Sequence, residues 1–281
     1  MITSCSDIVD LKAIDRYLEE DLGPLDLTAL ILPPETIAQG TVITREDMVL
    51  CGRAWFDAVY KRLDPTLEIR WHFDEGAAVQ KEQTLCSLKG FARPLMTGER
   101  TALNLLQTLS GTATLSRQYA EAVRGTPVRI LDTRKTIPGL RLAQKYAVRC
   151  GGCENHRLGL YDAILIKENH IEAAGSITQA LAAAMRSSAA VMIEVEVETL
   201  KELEEALIGG CQRILLDEFS LEMMREAVAM TKGKASLEVS GNVTLQEIPA
   251  IAATGVDYIS IGALTKNIRA IDLSMRVALE R

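Results

Sequence analysis

The sequence predicts an α/β chain whose C-terminal part folds as an incomplete parallel α/β barrel of about six to seven strands, short of the usual eight. Three observations carry this prediction. From about residue 126 onward, short β-rich runs alternate with longer helical stretches. The runs are VRILD (128–132), AILIK (163–167), VMIEVE (191–196), RILLD (213–217), SLEVS (236–240) and YISIG (258–262), and their ends are spaced by 35, 29, 21, 23 and 22 residues. Each interval holds one strand and a crossover helix, the signature of a parallel sheet. No glycine-rich dinucleotide fingerprint follows any of these runs, which favours closure into a barrel over an open, doubly wound sheet.

The N-terminal part reads differently. Residues 7–20 predict an amphipathic helix, with Ile8, Leu11, Ile14, Tyr17 and Leu18 on one face, before the turn-rich stretch DLGPLDLT. Runs such as GTVITRE, LEIRWHF and TLCSLKG within residues 40–90 suit an antiparallel sheet. Residues 94–123 predict a helix interrupted near Ser110 and Gly111. That interruption sets the expected domain division, 1–112 and 113–281, with a last helix returning to the N-terminal domain.

The chain has 281 residues, 48% hydrophobic and 25% charged, ample for a buried core. A net charge of -7 argues against a broad basic face for nucleic acid or an anionic membrane. The first residues, MITSCSDIVDLKAIDR, lack the pattern of a signal peptide, and no apolar run approaches the roughly 18 residues of a membrane span. A cytoplasmic location is expected. Six scattered cysteines fit a reducing compartment. Only Cys150 and Cys153 are close in sequence, in CGGC with His156 following. A zinc or redox site there lacks a second cysteine pair, and the two glycines fit a tight turn instead.

The six runs end in Asp132, Lys167, Glu196, Asp217, Ser240 and Gly262. In a parallel barrel these carboxyl ends surround one opening, where such enzymes act. A charged residue leaving a strand is often merely solvated, but six polar or small residues at one end are harder to explain that way. In IEVEVE, Glu194, Glu196 and Glu198 share one face by the period of two. Carboxylates turned into a barrel need cations, and Arg134, Lys135, Arg157 and Lys167 are the expected partners. His156 and Arg157 share a glycine-containing loop between the first two runs, suited to an anion. VSGNVT and SIGALT place small residues after the last two strands, where amides and helix N-termini can hold phosphate. The expected substrate is polyanionic and phosphorylated, with magnesium between its phosphates and Glu196 or Asp217.

The long ordered stretch DTRKTIPGLRLAQKYAVRCGGCENHRLGLYDAILIKENHI, with IEVEVETLKELEEAL, RILLDEF, LEVSGNV and GVDYISIGALT, resembles the quinolinate phosphoribosyltransferases, the decarboxylating nicotinate-nucleotide pyrophosphorylases. The likeness runs from EEDLGPLDLT through GERTALNLLQTLSGTAT to AIDLSMR. It implies an N-terminal open α/β sandwich joined to the incomplete barrel, and conversion of quinolinate and phosphoribosyl pyrophosphate, with Mg2+, to nicotinate mononucleotide, carbon dioxide and pyrophosphate. It also implies a homodimer in which Arg100 of one subunit enters the neighbouring site. Carried over by motif, Arg134, His156, Arg157 and Lys167 face the two carboxylates of quinolinate. Thr133 and Lys135 meet the phosphoribosyl donor, and Glu196 and Asp217 meet the ribose hydroxyls directly or through magnesium. Ser240, Gly241, Asn242, Ile261, Gly262 and Ala263 cradle the 5′-phosphate. No covalent enzyme intermediate is implied. Cys153 stands where a third glycine is common, and LDEF and ALTKN stand where LDNF and ALTH are common. Two other enzyme readings compete: the related pyrophosphorylase of molybdate operons, acting on another base, and a barrel lyase using Lys167 as a Schiff base. A non-enzymatic phosphate sensor, or a zinc module at Cys150, Cys153 and His156, is the remaining alternative.

Overall fold

A computed structural model describes residues 8–187 and 191–280; Cys5 and Asp7 lie outside them. The chain divides into two compact units that do not follow a single cut in the sequence. One comprises Met1–Arg117, Ile137–Gly152 and Leu264–Arg281, the other Gln118–Thr136 and Cys153–Ala263.

The first unit opens with α1 (Leu11–Leu22), whose start is set by Asp10, the side chain of which accepts a hydrogen bond from the Lys12 amide at 2.9 Å. Ile14 and Leu18 turn inward as the periodicity predicts, while Leu11 stays half exposed. The strands β1 (Ile37–Thr44), β2 (Met48–Val49), β3 (Glu68–Trp71), β4 (Ala78–Val79) and β5 (Thr84–Phe91) are joined by α2 (Arg53–Leu63). β3 and β5 pair antiparallel, as do β5 and β1, matching the three β-rich runs of the sequence. Two helices follow, α3 (Ala92–Thr97) and α4 (Glu99–Ala122). Phe56, Tyr60, Leu85, Leu103 and Leu106 are among the fully buried side chains of one continuous core. Each such large apolar group contributes about 1.5–3 kcal/mol by leaving water.

Two expectations are corrected here. The helix interruption near Ser110 and Gly111 does not occur: α4 runs through both, and the break falls earlier, at Gly98. Ser110 is fully buried, and its Oγ accepts from the Cys51 amide at 3.1 Å and donates to the Cys51 carbonyl at 3.0 Å. A Cβ at Gly111 would stand 2.3 Å from the Arg269 carbonyl oxygen. Both small residues therefore serve close packing. The second correction concerns the C-terminus, which is no helix but a strand, β12 (Leu273–Leu279), pairing antiparallel with β1 from Thr44↔Leu273 to Ala38↔Leu279. LSMRVAL alternates: Leu273, Met275 and Val277 pack on the core, with Ser274 and Arg276 between them.

The second unit contains the six predicted strands: β6 (Arg129–Leu131), β7 (Ala163–Ile166), β8 (Met192–Val197), β9 (Arg213–Asp217), β10 (Ser236–Ser240) and β11 (Tyr258–Ser260). Every pairing is parallel, in the order β6-β11-β10-β9-β8-β7. The first strand lies beside the last, the cyclic order of a barrel, and the ladder is open between β6 and β7. Among the described residues, a bridge from Leu131 to Glu154 lies there. Between the strands run α6 (Glu168–Ala174), α7 (Ile177–Ser187), α8 (Leu200–Ile208), α9 (Leu221–Thr231) and α10 (Ile248–Ala252). Thr199 starts α8 by accepting from the Glu202 amide, and Ser220 starts α9 by accepting from the Met223 amide.

Candidate active site

In the second unit alternate residues of the parallel strands point into one hollow of about 370 Å³. Leu165 and Lys167 come from β7 and its exit, Glu196 from β8, Leu215 from β9, Glu238 and Ser240 from β10, and Ser260 from β11. The segment after β6 adds Thr133, Arg134 and Lys135, and the loop filling the open side adds His156 and Arg157. Five basic side chains thus line one cavity in a chain of net charge -7.

Local bonds hold these groups. Asp132, fully buried, accepts from the Asn155 side chain at 2.7 Å and from the His156 amide at 2.9 Å, so it anchors the loop instead of facing a ligand. Asp162 accepts from the amides of Leu158 and Gly159, and Arg157 donates to the Ala163 carbonyl at 3.1 Å. Burial and the neighbouring Arg134 hold Arg157 below its ordinary pKa. Lys167 Nζ pairs with a carboxylate oxygen of Glu196, while the Lys167 amide donates to Nδ1 of His170 at 3.0 Å, fixing the lysine at the head of α6.

Beneath this rim lies a buried charged layer that the sequence reading assigns only in part. Glu194 and Glu238 are fully buried. Arg213 lies between them, Nε 3.2 Å from Glu194 and Nη2 2.5 Å from Glu238, and stacks over the Tyr258 ring at 3.9 Å. Nε2 of His156 lies 2.9 Å from Glu194 and 3.4 Å from Glu238. Burial alone would lower the His156 pKa, but contact with Glu194 and the charges of both glutamates outweigh it and raise the pKa. Burial opposes ionisation of Glu194, yet His156 and Arg213 bring its pKa below the usual value. Glu238 is shifted up, by burial and by the charge of Glu194. The result is a His156 oriented by buried acids that favour its charged form.

Glu194 pairs with Arg213 and His156, two groups not among the expected partners, while Arg157 acts on it through charge; the pairing of Glu196 with Lys167 follows the expectation. Glu198 lies beyond the end of β8, where its amide donates to Glu202, and does not enter the barrel. Among the predicted site residues, Asp217 does not line the hollow itself, but its Oδ1 accepts from the Ser240 hydroxyl at 2.5 Å. Gly241 and Asn242, with Ser240, line an adjoining cavity next to Glu218 and Phe219. Gly241 has φ 126°, a conformation open mainly to glycine, and this turns the chain sharply after β10. At the exit of β11, the Ile261 amide donates to the Leu131 carbonyl, and a Cβ on Gly262 would come 3.0 Å from Cδ of Lys135. Ala263 begins α11 (Ala263–Lys266). Arg100 belongs to the first unit, where it is exposed on α4 and lines a different hollow with Asp21, Asp26 and Thr97.

The zinc grouping of Cys150, Cys153 and His156 does not form. Among the described residues, His156 gathers with Glu194 and Glu238, and Cys150 with Cys51 and Glu75.

Comparison with known proteins decides the family. Residues 26–110 match the quinolinate phosphoribosyl transferase N-terminal domain and residues 112–276 its C-terminal domain. The chain belongs to the quinolinate phosphoribosyltransferase family. Over 269 residues it is 39% identical to a probable nicotinate-nucleotide pyrophosphorylase [carboxylating] of Bacillus subtilis (strain 168), covering 95% of this chain and 93% of that one. It is 40% identical over 285 residues to the corresponding Mycobacterium leprae (strain TN) protein, covering 98% and 99%. The solved nicotinate-nucleotide pyrophosphorylase of Francisella tularensis superposes with a TM-score of 0.94 at 44% identity, covering 98% of this chain and all of that one.

Proposed function

We propose that this hollow joins quinolinate to the ribose of phosphoribosyl pyrophosphate and then releases carbon dioxide, leaving nicotinate mononucleotide and pyrophosphate. The chain is an enzyme of the pentosyltransferase class, a step in NAD biosynthesis. The observation that carries the reading is the ring of Arg134, Lys135, His156, Arg157 and Lys167 around one pocket of an acidic chain. Arg134, His156, Arg157 and Lys167 bind the two carboxylates and so set the pyridine nitrogen toward the ribose. As pyrophosphate leaves, the ribose carbon gains positive charge, which Glu196 and Asp217 stabilise, while Lys135 steadies the departing anion beside Thr133. The new bond makes the ring nitrogen cationic, and that charge takes up the electron pair left when the adjacent carboxylate departs as carbon dioxide. Ser240, Gly241, Asn242, Ile261, Gly262 and Ala263 hold the 5′-phosphate through hydroxyl, amide and backbone contacts.

Magnesium fits this donor set. Glu196 and Asp217 offer hard oxygen ligands, and each has one carboxylate oxygen besides the one already bound to Lys167 or Ser240. Bound there with the pyrophosphate, it supplies neutralisation of the leaving group. The subunits pair so that Arg100, exposed on α4, completes the carboxylate site of the neighbour. No helix among the described residues is long and apolar enough to cross a membrane. The Schiff-base reading is disfavoured because the Lys167 ammonium is paired with Glu196, whereas that chemistry needs a neutral amine. The molybdate-operon reading is disfavoured by relatives that are named nicotinate-nucleotide pyrophosphorylases.

The test mixes the protein with quinolinate, phosphoribosyl pyrophosphate and Mg2+ and follows carbon dioxide and the mononucleotide. Lys167→Ala and Arg134→Ala are expected to lower turnover by about 100-fold or more with the fold intact. Full activity in either variant would exclude that residue from holding the substrate carboxylates.

A further inference from the structure

Of the two cysteines in CGGC, Cys150 belongs to the first unit and Cys153 to the second. Cys150, the last residue of α5 (Arg141–Cys150), meets Cys51 and Glu75, all three within the first unit. The two sulfurs and a carboxylate oxygen of Glu75 all lie within 4.8 Å of one another. Cys51 is fully buried, Cys150 half-buried, and both are free thiols.

Glu75 is held in place by the helix it caps. One of its oxygens accepts from the Gly52 amide at 2.6 Å and the other from the Arg53 amide at 3.2 Å, at the head of α2. A carboxylate oxygen has a second lone pair, so these bonds orient Glu75 without exhausting it. Hydrogen-bonded carboxylates are typical metal ligands for this reason. Around a tetrahedral ion with bonds of about 2.3 Å to sulfur and 2.1 Å to oxygen, ligand atoms stand about 3.6–3.8 Å apart. The three donor atoms, all within 4.8 Å of one another, need close in by no more than about 1.2 Å to reach that spacing.

The surroundings of the three groups are basic. Arg53 acts on Glu75 and Arg149 on Cys150, and Arg117 donates to the carbonyls of Gly151, Gly76 and Cys150. That basic surround tolerates the single negative charge left when two thiolates and one carboxylate meet a divalent ion.

We propose that Cys51, Glu75 and Cys150 form a binding site for one thiophilic divalent cation of the zinc type, separate from the reaction pocket. Binding displaces the two thiol protons to solvent, forms two metal–sulfur bonds and one metal–oxygen bond, and leaves a fourth position to a non-protein ligand. No electron transfer is involved. The donor set of sulfur with one carboxylate selects zinc over magnesium, which prefers oxygen alone.

The experiment uses full-length protein, stripped with chelator and kept under a phosphine reductant so that both thiols stay free. Cobalt(II) titration is expected to give a thiolate-to-metal charge-transfer band that saturates at one equivalent and is bleached by zinc. Cys150→Ala, at the half-buried position, should abolish the band and weaken zinc by more than about 100-fold, beyond the loss of an outer partner. Cys51→Ala should do the same; should it not fold, Cys150→Ala decides. Absence of the band in the wild type, or uptake unchanged in Cys150→Ala, overturns the proposal.

Discussion

Arg213 shows what a single buried charge does in this fold. It sits across from Glu194 in the β8–β9 register and reaches Glu238 on β10, so it neutralises two acids that water does not reach. Removing one partner of a buried pair strands the other, at a cost of about 3–5 kcal/mol. Arg213→Met is therefore expected to lose about that much in urea unfolding, and the loss should grow with pH. The sign follows from His156, the other cation facing these glutamates. Its pKa is raised on folding, so its stabilising charge is complete below the ordinary 6.5 and fades as pH climbs through the folded value. With Arg213 gone and His156 neutral, both acids stand uncompensated. A penalty that shrinks as pH rises would refute this role for Arg213. Little of the layer was legible in the sequence: Glu194 is marked by the period of two in IEVEVE, but its link to Arg213 and Glu238 depends on strand register, which the linear order leaves open.

At the scale of elements, the strands of the barrel were readable because each apolar run ends in a polar or small residue, at intervals that each hold one strand and a crossover helix. The small residues of α4 were not. Ser and Gly inside a helical pattern look like a break, yet Ser110 bonds to the Cys51 backbone and Gly111 leaves room for the Arg269 carbonyl. Those partners stand 59 and 158 residues away in sequence, beyond the reach of any local rule. β12 was missed for a related reason: seven residues at the end of a chain carry too little periodicity to choose helix or strand, and only pairing along β1 decides. Close packing at Gly111 has a sign that distinguishes it. In an ordinary helix interior, Gly→Ala stabilises by up to about 1 kcal/mol. Here the new Cβ meets backbone at 2.3 Å, which cannot swing aside, so Gly111→Ala is expected to destabilise by about 1–3 kcal/mol. The urea midpoint of the variant measures this, and a higher midpoint than wild type would show that α4 has room for a methyl group beside Arg269.

For the whole molecule, an acidic chain that concentrates five cations in one hollow gains local attraction for an anionic substrate while the rest of its surface repels nonspecific polyanions. Arg100 belongs to the first unit, where it is exposed on α4 and lines a hollow of that unit. The proposed dimer turns that into a countable result. Arg100→Ala leaves a chain with an intact Lys167, and Lys167→Ala leaves one with an intact Arg100; each homodimer is expected to be nearly inactive. In a mixed dimer, one site combines the Lys167 of the first chain with the Arg100 of the second, and the other site lacks both. Equal mixing with free exchange makes half the dimers mixed, so about a quarter of all sites regain the full set, as twofold symmetry requires. Recovery near a quarter of wild-type turnover after exchange supports transfer of Arg100 across the interface. If each arginine served its own chain, every site in the mixture would lack one of the two groups, and activity would stay at the level of the single variants.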